Sequence, residues 1–293
     1  MGERATVNGM DFATDDLMTW AYSERQLIVV ERDDAVDIAR RTAREASDGK
    51  WAVEIVDAAA RTAIAGGLVG AAAGAAAAGA VELWKARKRA DNANLPFLVV
   101  TASQADRLTF PNGHPLANVV YVGDPGVAGN YYPVASFHRV LFEGKAAEAL
   151  RLLRSLAAIE ISVEYSEGFD RGAGVDLSLA LRPGAEVEVG VSATRTSKAR
   201  SGAKMSMQLS PNTPARVPND LIWFRSEPLW QEVANARIEH GLLTFNLEVN
   251  YTEDFGVNAN LKSKIAGSGL ELGGRFTEFQ ETVWKLSGRF ADQ

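Results

Sequence analysis

No cysteine occurs anywhere in the 293 residues, which excludes disulfides, thiolate metal sites and cysteine nucleophiles outright. Histidine is nearly as scarce. His114, His138 and His240 are the whole set, and none lies in H-E-x-x-H or another metal-ligand spacing, so no metal is expected. The G-x-S-x-G elbow of a serine hydrolase and the G-x-x-x-x-G-K-[ST] phosphate loop are both absent. GGLVG at 66–70 lacks the G-x-G-x-x-G spacing and follows helix-like sequence, so no dinucleotide cofactor is expected either. A basic surplus is missing too: 31 basic against 37 acidic residues leave a net charge of -6, which argues against a nucleic-acid partner. The opening MGERATVNGMDFATDD has no apolar core of a secretory signal, and a cytoplasmic protein of bacterial type is the expectation.

What the chain does have is a run from Thr62 to Val81, TAIAGGLVGAAAGAAAAGAV, without one charged residue and almost wholly Ala and Gly. A helix rising about 1.5 Å per residue crosses a bilayer core in roughly 20 residues, which is the length of this run. Its large apolar residues are few, chiefly Ile64, Leu68 and Val69, so its hydrophobicity is marginal. Gly66, Gly70 and Gly74 recur every fourth residue, with Gly67 and Gly79 beside that line. This small-residue stripe lets a second backbone approach closely, in a membrane or in a tight soluble seam. Trp84 and then Lys85, Arg87, Lys88 and Arg89 follow, the order expected where a helix leaves lipid on the cytoplasmic side. Asp57 and Arg61 flank the other end.

The predicted organisation is α+β. A strand at 24–31 leads to a helix capped at Asp33 or Asp34 and running to about Ser47. Helix is expected over about 51–89, unbroken or folded into a hairpin at Gly66-Gly67. Strands follow at 96–101 and 118–122, with a helix at 144–157. The second half alternates with period two at 159–166, 174–181, 185–195, 203–209, 242–251, 255–265 and 269–291, which predicts a mainly antiparallel twisted sheet. One helix at about 227–240 interrupts it, with Ser226 as cap, Pro228 in the first turn and Gly241 as terminator. Trp223, Trp230 and Trp284 read as core, or as a lipid-facing patch in the run LIWFRSEPLW. The chain divides on this reading into 1–157 and 158–293, packed as one unit.

Three functions compete. The leading one is a non-enzymatic, membrane-engaging and self-associating protein, of the pore-forming or membrane-perturbing kind found in bacterial defence or toxin systems. It would insert conditionally or sit peripherally at the inner membrane, with a homo-oligomer and the lipid bilayer as its partners. The second is a soluble binding or scaffold module that recognises a ligand or protein through loops 102–117 and 123–139. Those loops hold His114, Asp124, Tyr131, Tyr132, His138 and Arg139. The third is an enzyme with its chemistry at His114, Asp124 and His138.

Overall fold

The computed structural model describes residues 4–7, 10–13, 17–38, 78–80, 83, 85–95, 97–166, 204–210, 213–251, 256–274 and 282–292. They form helices and antiparallel-rich sheets, an α+β fold, in two compact units. The first comprises Met1–Phe137 and Val257–Phe276; the second comprises His138–Gly256 and Thr277–Gln293.

Six strands make the sheet of the first unit: β1 (Arg4–Val7), β2 (Met10–Ala13), β3 (Leu27–Glu31), β4 (Leu98–Thr101), β5 (Val120–Gly123) and β6 (Tyr131–Pro133). Their order is β1-β2-β4-β3-β5-β6. β4 runs parallel to both β2 and β3, whereas β5 and β6 join antiparallel. The apolar run LIVV at 27–30 and LVV at 98–100 reflect this position, because parallel strands are buried on both faces. Ile28, Val30, Leu98 and Val100 share one face and a core with Leu17, Trp20, Tyr121 and Tyr131.

The other face carries Val29 and Val99, with Glu31 and Thr101 beyond them in register. The crossover from β3 to β4 covers this face. It is helical at 33–38 (α2, following the short α1, Tyr22–Arg25) and at 78–80, 83 and 85–92 (α3). Ala80, Leu83, Ala86 and Ala90, spaced three or four apart, are the buried stripe of α3. It approaches α2 and β3 at Gly79, where a Cβ would make ordinary contacts, 3.4 Å from Ala35 Cβ and 3.9 Å from Glu31 Oε1. α4 (Ala102–Ala105) leaves β4 toward the opposite face, where Ala105 joins the first core.

The second unit packs α5 (Phe137–Ser155) and α6 (Pro228–His240) with a four-stranded antiparallel sheet of order β8-β7-β10-β9. The strands are β7 (Ala158–Ser166), β8 (Lys204–Gln208), β9 (Thr244–Tyr251) and β10 (Thr282–Phe290). β9 alternates exposed and buried residues without a break, as a sheet wet on one face requires. Trp230 and Trp284 are core residues, while Trp223 is partly exposed.

Several sequence expectations shift. The strand expected at 255–265 is instead the helix α7 (Ala259–Ser268) of the first unit. Asn258 caps it, its side chain accepting from Leu261 N, and Gly269 closes it at φ 79°. The buried pair Ile265 and Ser268 stands at helical spacing, a signal that the apparent alternation obscured. Residue 227, not Ser226, is the cap of α6, because Pro228 takes the first helical position; Ser226 Oγ turns back to Trp223 O. The expected strands at 174–181 and 185–195, the 39–47 end of the helix expected after β3, and residues 51–77 of the helix expected over about 51–89 lie outside the described residues.

Candidate functional site

Two polar groupings stand out in the first unit. The first lies where β3 and β4 end. The chain leaves β3 toward one face of the sheet and β4 toward the other, and such a switch point is where open α/β sheets form crevices. Asp33, opening α2, accepts from Ser103 N at 3.1 Å and from Ser103 Oγ, which ties the two strand ends together. Those bonds, the Ser103 hydroxyl first, hold the Asp33 carboxyl below the ordinary carboxylate range. Arg32 and Asp34 form an exposed bidentate pair at 3.1 and 2.6 Å. Thr101 and Gln104 close a capping box on α4.

Glu31 differs from its neighbours. It is 3 % exposed, its Oε1 accepts from Arg32 N at 3.0 Å, and its Oε2 has no hydrogen-bond partner among the described residues. An unpartnered buried carboxylate oxygen costs folding free energy. This one lies at the root of α3, beside Gly79.

The second grouping forms at the opposite ends of β3 and β5. Asp124 follows β5 and turns its Oδ1 back to accept from Gly126 N and Val127 N at 2.8 and 3.0 Å. Its Oδ2 accepts from the Tyr132 hydroxyl at 3.4 Å. Tyr22 donates to Gly123 O and Tyr131 to Arg25 O, each at 3.0 Å. Arg25 is buried, donates through Nε to Trp20 O, and its Nη1 has no hydrogen-bond partner among the described residues. Burial pushes the Asp124 carboxyl above its ordinary range against the opposing backbone bonds. Burial and then the charge of Asp124 push the Tyr22 hydroxyl up to about 12. Tyr131 and Tyr132 are raised chiefly by burial as well.

The raised Asp124 predicts a pH dependence. A carboxyl whose folded pKa exceeds its unfolded one stabilises the fold at low pH, and that contribution is lost as pH rises through the folded value. Asp124→Asn keeps an acceptor for Gly126 and Val127. Its melting temperature is expected to gain on wild type as pH rises from about 4, the ordinary carboxylate value, through the raised value of the folded state. A difference that stays constant with pH contradicts this account.

The sequence candidates therefore separate. Asp124, Tyr131 and Tyr132 come together, joined by Tyr22 and Arg25 from across the sheet. His114 is elsewhere in the unit: the Tyr121 oxygen accepts from Leu116 N at 2.7 Å and hydrogen-bonds His114 Nδ1, also at 2.7 Å. The bonds of the Asp124 side chain go to Gly126, Val127 and Tyr132, and none goes to His114. His138 belongs to the second unit, buried with Nδ1 at 3.1 Å from the Tyr251 hydroxyl. Arg139 is exposed on α5.

In the basic flank, Lys85 and Lys88 are exposed. Arg87 is buried, donates to Phe97 O at 2.5 Å and pairs with Asp91 at 2.9 Å. Arg89 donates to Ser268 O at 2.7 Å. Of the membrane-segment residues only Gly79 is described; Ile64, Gly66, Gly67, Leu68, Val69, Gly70 and Gly74 lie outside the described residues. Among the described residues no group of three or more His, Asp or Glu side chains is placed to hold a metal, and no helix is long and apolar enough to cross a membrane.

Sequence reasoning missed Glu31, Ser103, Tyr22 and Arg25 and read Asp33 only as a helix cap. Glu31 had a readable signal, a charge closing an all-apolar strand of the type that is buried on both faces. The others meet over long sequence separations and had none. No family model matches the chain, and neither a curated protein nor a solved structure shows significant similarity to it.

Proposed function

We propose that this chain is a non-enzymatic, self-associating protein that engages lipid bilayers through Thr62–Val81 and perturbs them, as pore-forming effectors of bacterial defence or toxin systems do. One observation carries the reading. Adjacent parallel strands need a crossover of about a dozen residues, yet β3 and β4 are joined by residues 32–97, helical at both described ends. The surplus contains the uncharged Ala/Gly run. Its return helix α3 meets the sheet at Gly79 beside the Glu31 carboxylate, whose Oε2 has no partner among the described residues.

In this mechanism Gly66, Gly70 and Gly74 bring protomers together, Ile64, Leu68 and Val69 face lipid, and Lys85 and Lys88 meet anionic headgroups. Arg87 and Arg89 stay with the scaffold. Marginal hydrophobicity keeps the segment off the membrane until assembly makes insertion favourable. The Glu31 Oε2, without a partner among the described residues, lowers the cost of lifting α3 from the sheet.

The test is flotation of the purified protein with liposomes, neutral and anionic, with dye release measured in parallel. Flotation and leakage with anionic vesicles are expected; a protein that neither floats nor leaks dye on either lipid overturns the reading. Glu31→Met, which removes the buried charge at similar volume, is expected to stabilise the docked α3 by about 1–3 kcal/mol. Dye release then falls by about 5- to 100-fold, while an unchanged leakage rate removes Glu31 from the mechanism.

The Asp124 grouping favours a second reading, a binding module that takes its ligand at the 123–132 loop beside Tyr22 and Arg25. That reading expects no lipid dependence at all.

A further inference from the structure

We propose that the free edge of β9 is a pairing surface for a second copy of this chain. The inference is independent of the membrane reading, since it concerns the second unit alone.

Among the described residues β9 is the edge of its sheet, paired on one side only, to β10, in unbroken register from Thr244 to Tyr251. Phe290 N donates to Leu243 O at 2.8 Å. Hydrogen-bonded pairs alternate along an antiparallel ladder, so Phe245, Leu247 and Val249 direct their backbone groups at β10. The backbone groups of Thr244, Asn246, Glu248 and Asn250 point away from it. The Asn250 carbonyl confirms this parity, because it accepts from Lys145 Nζ of α5 at 2.6 Å. The outward groups of Thr244, Asn246 and Glu248 have no backbone partner among the described residues.

Edges exposed in this way invite strand pairing, and proteins usually blunt them with proline, lysine or a bulge. β9 has none of these; Glu248 is its only charge, and that carboxylate is paired with Lys285 of the neighbouring strand at 3.3 Å. Lys145, itself held by Glu227 at 2.5 Å, occupies the Asn250 end and stops pairing there.

These facts select a register. A two-fold axis at Asn246 opposes Asn246 to itself and Thr244 to Glu248 of the second copy, which uses every outward group from 244 to 248. It sets two amides against each other and a hydroxyl against each carboxylate, with no like charges opposed. Centring on Leu247 would need the Asn250 end that Lys145 holds, and centring on Phe245 would leave Glu248 opposite residue 242, before the strand begins. A partner strand of different sequence has no such fixed register. The symmetric contact is isologous and closes at a dimer.

The test uses the full chain without lipid, where failure of the membrane reading has no bearing. Light scattering after size exclusion is expected to give a dimer that Asn246→Pro converts to a monomer with unchanged circular dichroism. Because the chain has no native thiol, cysteine cross-linking reads the register even if that variant misfolds. Asn246→Cys is expected to form an intermolecular disulfide on mild oxidation. Thr244→Cys is not, since its symmetry mate stands four residues away along the strand, about 14 Å. A wild-type monomer at all concentrations overturns the proposal, as does equal cross-linking of the two cysteine variants.

Discussion

Gly70→Leu is expected to reduce dye release from anionic liposomes to background while leaving flotation intact. The added side chain makes Thr62–Val81 more apolar, so lipid affinity does not fall. It stands on the line of Gly66, Gly70 and Gly74, where close approach of two backbones needs small residues, and a leucine there forces the helices apart. Binding and assembly are thereby separated. Chemical cross-linking on the vesicles should show the wild type as oligomers and the variant as a monomer or as the dimer proposed for the β9 edge. Full leakage from Gly70→Leu would mean that the glycine line does not join protomers.

Arg237→Ala is expected to be the most destabilising single change in the second unit, by about 3–5 kcal/mol. Arg237 is 1 % exposed, and its guanidinium binds three backbone carbonyls. Nε donates to Leu156 O at 3.1 Å, one terminal nitrogen to Leu242 O at 3.0 Å and the other to Ala291 O at 2.8 Å. Its guanidinium also lies 5.0 Å from the Phe290 ring centroid. These bonds tie α6 to the end of α5, to the start of β9 and to the residue after β10. Burial lowers the Arg237 pKa, yet a guanidinium stays charged throughout the working pH range. Alanine removes the donor from one buried and two part-buried carbonyls. Lysine reaches one of them and is expected to recover less than half of the loss. Urea unfolding followed by tryptophan fluorescence, with Trp230 and Trp284 in this unit's core, measures both; a loss below about 1 kcal/mol for alanine would contradict the tie.

The parts of the fold that sequence could read were those with local causes. Pro228 and Gly241 bracket α6 because proline suits a helix start and glycine the left-handed residue that ends it, here at φ 66°. The alternation of TFNLEVNY marked β9 because one face of its sheet is wet. α7 escaped for the converse reason. Its polar residues alternate by accident over a few positions, while its cap, Asn258, works only once the chain has turned toward the first unit. The candidate groupings were legible only on one side. Asp124, Tyr131 and Tyr132 lie within one loop and its strands, so their closeness could be expected. Tyr22 and Arg25 reach them through the pairing of β3 with β5, which no local pattern announces. Arg87 shows the same limit: a basic residue beside an apolar run suggests a lipid headgroup, but its place on the buried stripe of α3 commits it to Phe97 and Asp91.

Everything proposed for the membrane rests on Thr62–Val81 entering lipid, and one labelled residue tests that directly. Val69→Cys carries the chain's only thiol and accepts an environment-sensitive fluorophore at a position assigned to the lipid face. Its emission is expected to shift to the blue on addition of anionic liposomes and to be quenched by lipids bearing a quencher on the acyl chain. An emission spectrum that liposomes and the acyl-chain quencher leave unchanged would contradict insertion, and the second reading, ligand binding at the Asp124 loop, would take its place.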